Sequence, residues 1–240
     1  MSQRSHTRAE IRRRRQARRN AQYIVIGVII LLVIIGAIWL ISSQPKASPT
    51  PTAAPQATQP AQSNQAGPTV AALQYSSAPA MQIDTTKQYF ATIKMVKGGE
   101  FVIQLYPDKA PLTVNSFVFL AKKGFFNGTT FHRVLEGFMA QGGDPTGTGM
   151  GGPGYEFVNE KNDLTFDKAG VVAMANAGPD TNGSQFFITF QPVGLTENDY
   201  TIFGQVTSGM DVVNGLTRRD PQTNPTFTGD VIESVTISEK

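Results

Sequence analysis

Residues 23–41 read YIVIGVIILLVIIGAIWLI, nineteen residues with no charge and no proline. Wound as a helix at about 1.5 Å per residue, they extend about 28 Å, close to the ~30 Å apolar thickness of a bilayer. The run is apolar all round, unlike a helix lying on a globular surface. Tyr23 and Trp39 stand at its ends, where aromatic rings favour the headgroup region. Arg12 to Arg15, Arg18 and Arg19 precede it, and only Lys46 closely follows. Positive charge stays on the cytoplasmic side of a span. The expected layout is therefore a basic cytoplasmic tail over 1–22, a transmembrane helix over 23–41 and the rest of the chain outside. That makes a single-pass cell-membrane protein with a cytoplasmic N-terminus. A cleaved signal peptide is the competing reading, but the apolar run is long for one and ISSQPK offers no A-x-A site. The chain has no Cys, so it has no lipoprotein anchor and no disulfide.

The charge is unevenly distributed. Eight arginines and one acidic residue fall in residues 1–20, leaving thirteen basic and seventeen acidic residues in the remainder. The sequence pI of about 9.2 is therefore a property of the tail. A nucleic-acid partner is not expected for the folded part, and the tail suits anionic lipid instead. Residues 42–82 are dominated by Pro, Ala, Thr, Gln and Ser, and Lys46 is their only charge. Such a stretch buries too little apolar surface to offset its ordering entropy. It reads as a disordered, semi-extended linker, of which only the last ten or so residues suit an irregular part of a domain.

From residue 83 to 240 the pattern is that of a folded domain. Residues 89–95 and 100–105 are strand-like runs joined by Lys97-Gly98-Gly99, a hairpin signal. Residues 111–123 read as a helix. Pro111 suits its first turn, Val114, Phe117, Val118 and Ala121 share a face, and Gly124 stops it. Short strands are predicted at 130–135, 138–141, 171–175, 186–190, 201–206 and 231–237, with a short helix at 210–216. Many short strands separated by turns, with two helices, imply a mostly β, closed antiparallel barrel.

The chemistry can be narrowed by exclusion. The two histidines are His6, in the tail, and His132. Without Cys, a structural zinc site is not expected. GMGGPG at 149–154 matches a phosphate-loop pattern, but no strand precedes it and Pro153 interrupts it, so it reads as a surface loop. Ser184 lacks the G-x-S-x-G context of a nucleophile. What remains is FHRVLEGFMAQGGD, a lone Arg among apolar residues. That suits a reaction with no proton transfer and no covalent intermediate, such as rotation about a peptide bond. The barrier there is about 18–20 kcal/mol and arises from amide resonance. A guanidinium directed at the prolyl nitrogen would stabilise its lone pair as the bond twists, an interaction stronger in the transition state than in the ground state.

FHRVLEGFMAQGGDPTGTGMGGPGY and MANAGPDTNGSQFFIT closely resemble the two signature segments of the cyclophilins, a family of peptidyl-prolyl cis-trans isomerases. TIFGQVTSGMDVV and GDVIESVTI fit the same pattern, so the resemblance spans 83–240 and is to a bacterial-like, membrane-anchored member. It implies an eight-stranded barrel filled by its own side chains, with the active groove outside. By motif position, Arg133 is the catalytic residue. Phe138, Met139 and Phe187 line the proline pocket. Gln141, Asn176 and Gln185 hydrogen-bond the substrate backbone or orient Arg133, and Ala175 and Ala177 border the site of the residue before proline. Alternation along FHRVL places Phe131, Arg133 and Leu135 on one face and His132 on the other, where it reads as structural. Glu136 stands where many members have Pro. In QPVGLTENDYTIFG, an ungapped alignment puts Leu195 at a position usually held by Trp or His, and Tyr200 at that of a groove-edge His. With one inserted residue, Gly194 would replace the aromatic instead.

The expected function is acceleration of X-Pro rotation in exported or extracytoplasmic proteins, assisting their folding. No cofactor or metal is expected. Expected partners are proline-containing polypeptides and the membrane, with a monomeric domain and only weak binding of cyclosporin, the family's cyclic-peptide inhibitor. The alternatives are a proline-binding module that recruits partners without catalysis and a general holdase chaperone. Intact Arg133 argues against the first, and the absence of a long apolar surface stretch against the second.

Overall fold

Period-two burial builds the first hairpin. The computed structural model describes residues 73–240 apart from 197 and 225. The expected tail, the span and residues 42–72 of the linker lie outside the described residues. No helix among the described residues is long and apolar enough to cross a membrane. In β1 (Tyr89–Met95) every second side chain is buried, and the same holds in β2 (Glu100–Leu105). They pair antiparallel, and the amides of Met95 and Gly98 close the turn onto the carbonyls of Gly99 and Met95. Helix α1 (Pro111–Lys122) follows. Then come β3 (Thr130–Phe131), β4 (Arg133–Leu135), β5 (Met139–Gly142), β6 (Val171–Met174), β7 (Phe186–Thr189) and β8 (Ile202–Ser208). A short α2 (Met210–Asn214) and β9 (Asp230–Glu239) complete the order.

The strands pair antiparallel in the order β3-β9-β1-β2-β8-β6-β7-β5-β4. The two edges of that order, β3 and β4, are consecutive in the chain and meet at His132. The sheet therefore wraps into a nearly closed barrel. The described residues form nine strands where eight were expected, because the run over 130–135 divides in two. Its first half pairs with β9 and its second with β5. The division also overturns the alternation read along FHRVL. Phe131 and Val134 both belong to the interior core, whereas Arg133 and Leu135 stand on the outer side, partly exposed. An irregular residue at the break shifts the phase of the strand.

The interior is aromatic, and α1 closes it. Phe117 of α1 stacks on Phe126, at 4.9 Å between ring centroids, and meets the edge of Phe186 at 5.6 Å. Phe131 meets Phe186 in turn at 6.0 Å. Such edge and offset contacts are the favoured geometries of aromatic pairs. Pro111 occupies the first turn of α1, as its fixed φ and missing N–H suit. The helix has no side-chain cap of its own. The carboxylate of Glu160 supplies one, accepting the amides of Leu112 and Thr113 at 2.8 Å each and the Thr113 hydroxyl at 2.7 Å. An anion is favoured there, where unpaired amides and the helix dipole point.

Packing also begins earlier than residue 83. Asn115 of α1, only 2% exposed, donates from Nδ2 to the carbonyls of Pro79 and Ala80 at 3.2 and 3.0 Å. Its Oδ1 accepts the amide of Gln82 at 2.8 Å. Tyr75 lies edge-on to Phe119 at 4.9 Å. Residues 73–82, which the linker composition covers, thus form a strap across α1. They are held through backbone groups, and no apolar periodicity announces them.

Candidate active site

Strand register assembles the candidate residues. Arg133 stands opposite Gln141, Gln141 opposite Phe187, and Phe187 opposite Ala173. Directly opposed residues share a face with their Cβ atoms about 4.5–5.5 Å apart, so these four form one row across the outside of the barrel. Leu135 stands opposite Met139 in the next row. The residues between them, Val134, Ala140, Ile188 and Val172, fill the interior.

A second apolar cluster, separate from the interior, covers this outer face. It contains Met139, Phe166, Val171, Ala173, Phe187 and Ile202, with Leu135, Phe138, Ala175, Leu195 and Tyr200 packed against it. Phe187 and Tyr200 meet edge to face at 5.6 Å, and Phe166 stacks on Phe187 at 5.8 Å. Leu195 belongs to the cluster, while a Cβ on Gly194 would meet nothing within 4 Å. At the edge of this patch Arg133 is partly exposed and enters no ion pair among the described residues. Glu136 pairs instead with Arg218, Nε to Oε2 at 2.5 Å, on an exposed surface where screening leaves such a pair little weight.

Beside the patch lies an open cleft of about 770 Å³. Gln141, Ala175, Asn176, Ala177 and Gln185 line it, so the sequence-identified residues divide between the patch and the cleft, Ala175 belonging to both and Gln141 standing beside Phe187 in the register. Gln141 Nε2 donates to Gln185 Oε1 at 2.9 Å. Gln185 Nε2 donates to the carbonyls of Gly149 and Gly151 at 3.0 and 2.9 Å. Asn176 does not turn to Arg133. Its Nδ2 donates to the Asp199 carbonyl at 2.8 Å, and its Oδ1 accepts the Gly178 amide at 3.3 Å. It ties the cleft wall to the segment that carries Asp199, behind the lining.

The 149–154 segment, read from sequence as a surface loop, lines this cleft. Its holder is Asp144, which sequence reasoning missed. This fully buried carboxylate accepts the amides of Thr146 at 2.7 Å, Gly149 at 2.5 Å and Gly151 at 3.2 Å, and the Thr146 hydroxyl at 2.8 Å. A Cβ on Gly151 would lie 2.1 Å from Asp144 Oδ1, so a side chain there would break the cage. The available signal was an Asp followed by a Gly/Thr-rich run, which favours such local turns. Burial alone raises the Asp144 carboxyl. The bonds from Thr146, Gly151 and Gly149 outweigh it and hold the group below its ordinary value of 3.8.

His132 lies behind Arg133, 1% exposed. Burial pushes its proton affinity down from the ordinary 6.5. The Asp144 charge and the backbone of Thr130 work the other way, but neither ring nitrogen has a partner in good hydrogen-bond geometry. A neutral ring walled off from the groove is not an acid–base group. Among the described residues no cluster of His, Cys, Asp or Glu is arranged to hold a metal.

The chain matches the family described as "Cyclophilin type peptidyl-prolyl cis-trans isomerase/CLD" over residues 90–237. It is 50% identical over 133 residues to the mouse protein "Peptidyl-prolyl cis-trans isomerase-like 1", covering 53% of this chain and 80% of that one. It is 42% identical over 174 residues to "Peptidyl-prolyl cis-trans isomerase B" of Streptomyces anulatus, covering 64% and 99%. The crystal structure of a Cryptosporidium parvum cyclophilin type peptidyl-prolyl cis-trans isomerase superposes with a TM-score of 0.59 at 33% identity, over 64% of this chain and 99% of that one.

The Asp144 cage carries a pH expectation. The folded carboxyl sits below its unfolded value, so its stabilisation is complete above that value and is lost as pH falls through the lower, folded one. The Gly149 and Gly151 amides should stay protected from hydrogen exchange at neutral pH and lose protection on acidification below about pH 4. Asp144→Asn should show weak protection at all pH values. Full protection in that variant would show that the carboxylate charge does not hold the loop.

Proposed function

This chain belongs to the cyclophilin-type peptidyl-prolyl cis-trans isomerases, and on that premise we propose how its site works and where it acts. It is an isomerase. The observation that supports the residue roles best is Arg133, unpaired among the described residues and in row with Gln141 and Phe187 at the edge of the outer apolar patch. In this reading a prolyl ring rests on Met139, Phe138 and Phe187, and the polypeptide runs past Gln141 toward Ala175 and Ala177. The C–N bond resists rotation because the nitrogen lone pair is delocalised into the carbonyl. As the bond twists, the nitrogen pyramidalises and its lone pair localises. The Arg133 guanidinium donates a hydrogen bond to that lone pair, which becomes available only in the twisted state, so the barrier falls. Gln141, braced by Gln185, offers polar contact to the substrate backbone, and Asn176 keeps the wall in place. No bond is made or broken and no proton moves, consistent with a neutral, buried His132.

The substrate class is supported by a second structure of the Cryptosporidium protein, determined in the presence of the dipeptide Ala-Pro and superposing with a TM-score of 0.58. The apolar run at 23–41 and its arginine-rich flank support a single-pass anchor with the isomerase domain outside the cell membrane. The substrates would then be exported polypeptides whose folding waits on X-Pro bonds, which isomerise in tens to hundreds of seconds unaided.

Arg133→Ala should lose most turnover on short X-Pro peptides with an unchanged circular dichroism spectrum. Arg133→Lys should also be poor, because an ammonium lacks the planar fork. Near-normal turnover in the Lys variant would sink the role. The membrane arrangement is checked separately. Protease added to intact cells should release a soluble domain by cutting within the Pro/Ala/Thr-rich stretch, and protection until the membrane is opened would reverse the orientation. Leu195 gives a third expectation, since it offers no side-chain hydrogen-bond donor where an indole N–H would. One neutral hydrogen bond and an aromatic contact each contribute roughly 0.5–1.5 kcal/mol, together about one to two tenfold steps of affinity. Cyclosporin should therefore inhibit weakly, and Leu195→Trp should tighten inhibition more than it changes turnover. Inhibition of the unmodified chain as tight as that of Trp-bearing relatives assayed alongside would refute this account of the wall.

A further inference from the structure

The cleft has one wall from outside the barrel. Gln74 of the strap lines it, and its Nε2 donates to the Gly152 carbonyl at 2.9 Å. The next amide, of Tyr75, donates to the Pro153 carbonyl at 2.8 Å. The loop is shaped to receive the strap at Gly154, whose φ is +93°. A Cβ there would lie 2.6 Å from the Tyr75 carbonyl oxygen and 2.9 Å from Gln74 Oε1. The 149–154 segment is thus held from three sides: by Asp144 from beneath, by Gln185 from the groove and by the strap from outside. The first two holders belong to the barrel. The third is anchored on α1 through Tyr75 on Phe119 and through Asn115 on Pro79 and Ala80.

We propose that the strap is part of the substrate site, with Gln74 contacting an extended polypeptide beyond the X-Pro pair and Tyr75 acting as the positioning residue for the 149–154 loop. The ligand class follows from the walls. Thr146, Thr181 and Gln185 turn their donors inward, to Asp144, to Gly178 and to the Gly149 and Gly151 carbonyls. Gln74 instead keeps its Oε1 and one amide N–H unbonded among the described residues, so the strap wall offers an acceptor and a donor that suit an extended, polar stretch of main chain. A short peptide reaches the outer apolar patch and Arg133 but does not extend to the strap. The domain therefore favours long unfolded chains over short peptides, and the residues that confer this preference lie in the strap. The inference rests on the site reading above, because it takes the X-Pro pair to sit at Arg133.

The test uses the full chain in detergent micelles and two peptides with one X-Pro bond each, one of four residues and one of eight with polar flanks. In Gln74→Ala/Tyr75→Ala, the ratio of kcat/KM for the long peptide to that for the short one should fall about fivefold, the loss expected of one neutral hydrogen bond. The loss should come through KM for the long peptide and not through kcat. Tyr75→Phe keeps the ring on Phe119 and should retain the ratio. An unchanged ratio in the double variant overturns the proposal, as does a fall carried by kcat alone, which would mean general slackening. Faster amide exchange in the loop with an unchanged ratio makes the strap a structural brace only and also overturns it. Absence of turnover on the short peptide by the unmodified chain would instead sink the site reading, and the same ratio is then read from the dissociation constants of the two peptides.

Discussion

The architecture depends on one break in one strand. A barrel must bring its first and last strands together, and here a single stretch of chain serves both edges. Residues 130–131 pair with β9 and residues 133–135 with β5. A regular strand across His132 would alternate, and Phe131 in the core would then draw Arg133 inward with it. The irregular residue changes the phase, so that Phe131 and Val134 both point in and Arg133 points out. The break frees backbone groups that must find partners. Arg219 supplies them. Its guanidinium donates to the carbonyls of His132 and Phe227, and its backbone pairs with that of Val134 in both directions. The barrel seam, the orientation of the candidate catalytic side chain and the burial of a cation thus share one solution.

The walls of the cleft obey a second rule. The Gly-rich 149–154 segment has one buried side chain, Pro153, to anchor it by packing. It is held almost wholly by hydrogen bonds from elsewhere, to Asp144, Gln185, Gln74 and the Tyr75 amide. Asp144 can hold a charge while buried because four donors replace its lost water. Most of the loop's amides and carbonyls are engaged in this way, so the cleft wall is fixed by its own backbone bonds.

Much of the barrel was legible because it is written in local pattern. Tyr89–Met95 and Glu100–Leu105 have the bounds that their alternation predicts. The apolar face of α1, with Val114, Phe117, Val118 and Ala121, is buried as its spacing requires. The expected members of the site on β4, β5 and β7 fall on one outer face because motif order and strand register agree. What was illegible is tertiary. The Glu160 cap, the grip of Asn115 on the strap, the Asp144 cage and the Arg219 clamp each use backbone groups as partners, often many residues away, and any residue type carries those groups. Residues 73–82 have the composition of a linker, and the sequence left open only that they form an irregular part of the domain. The break at His132 escaped notice because FHRVL reads as an unbroken alternation, and only barrel closure interrupts it.

The two apolar clusters lie on opposite faces of the same strands. In β5 and β7, Ala140, Phe186 and Ile188 belong to the interior, while Met139 and Phe187 belong to the outer patch. Neighbours in sequence thus answer to different demands. One set is constrained by packing density, where a single methylene is felt. The other is constrained by what it touches from outside. Changes at positions separated by a sheet and sharing no partners combine close to additively. A substitution in the outward set can therefore change what the groove accepts while the inward set goes on holding the barrel, and the two kinds of change can be combined with little interference.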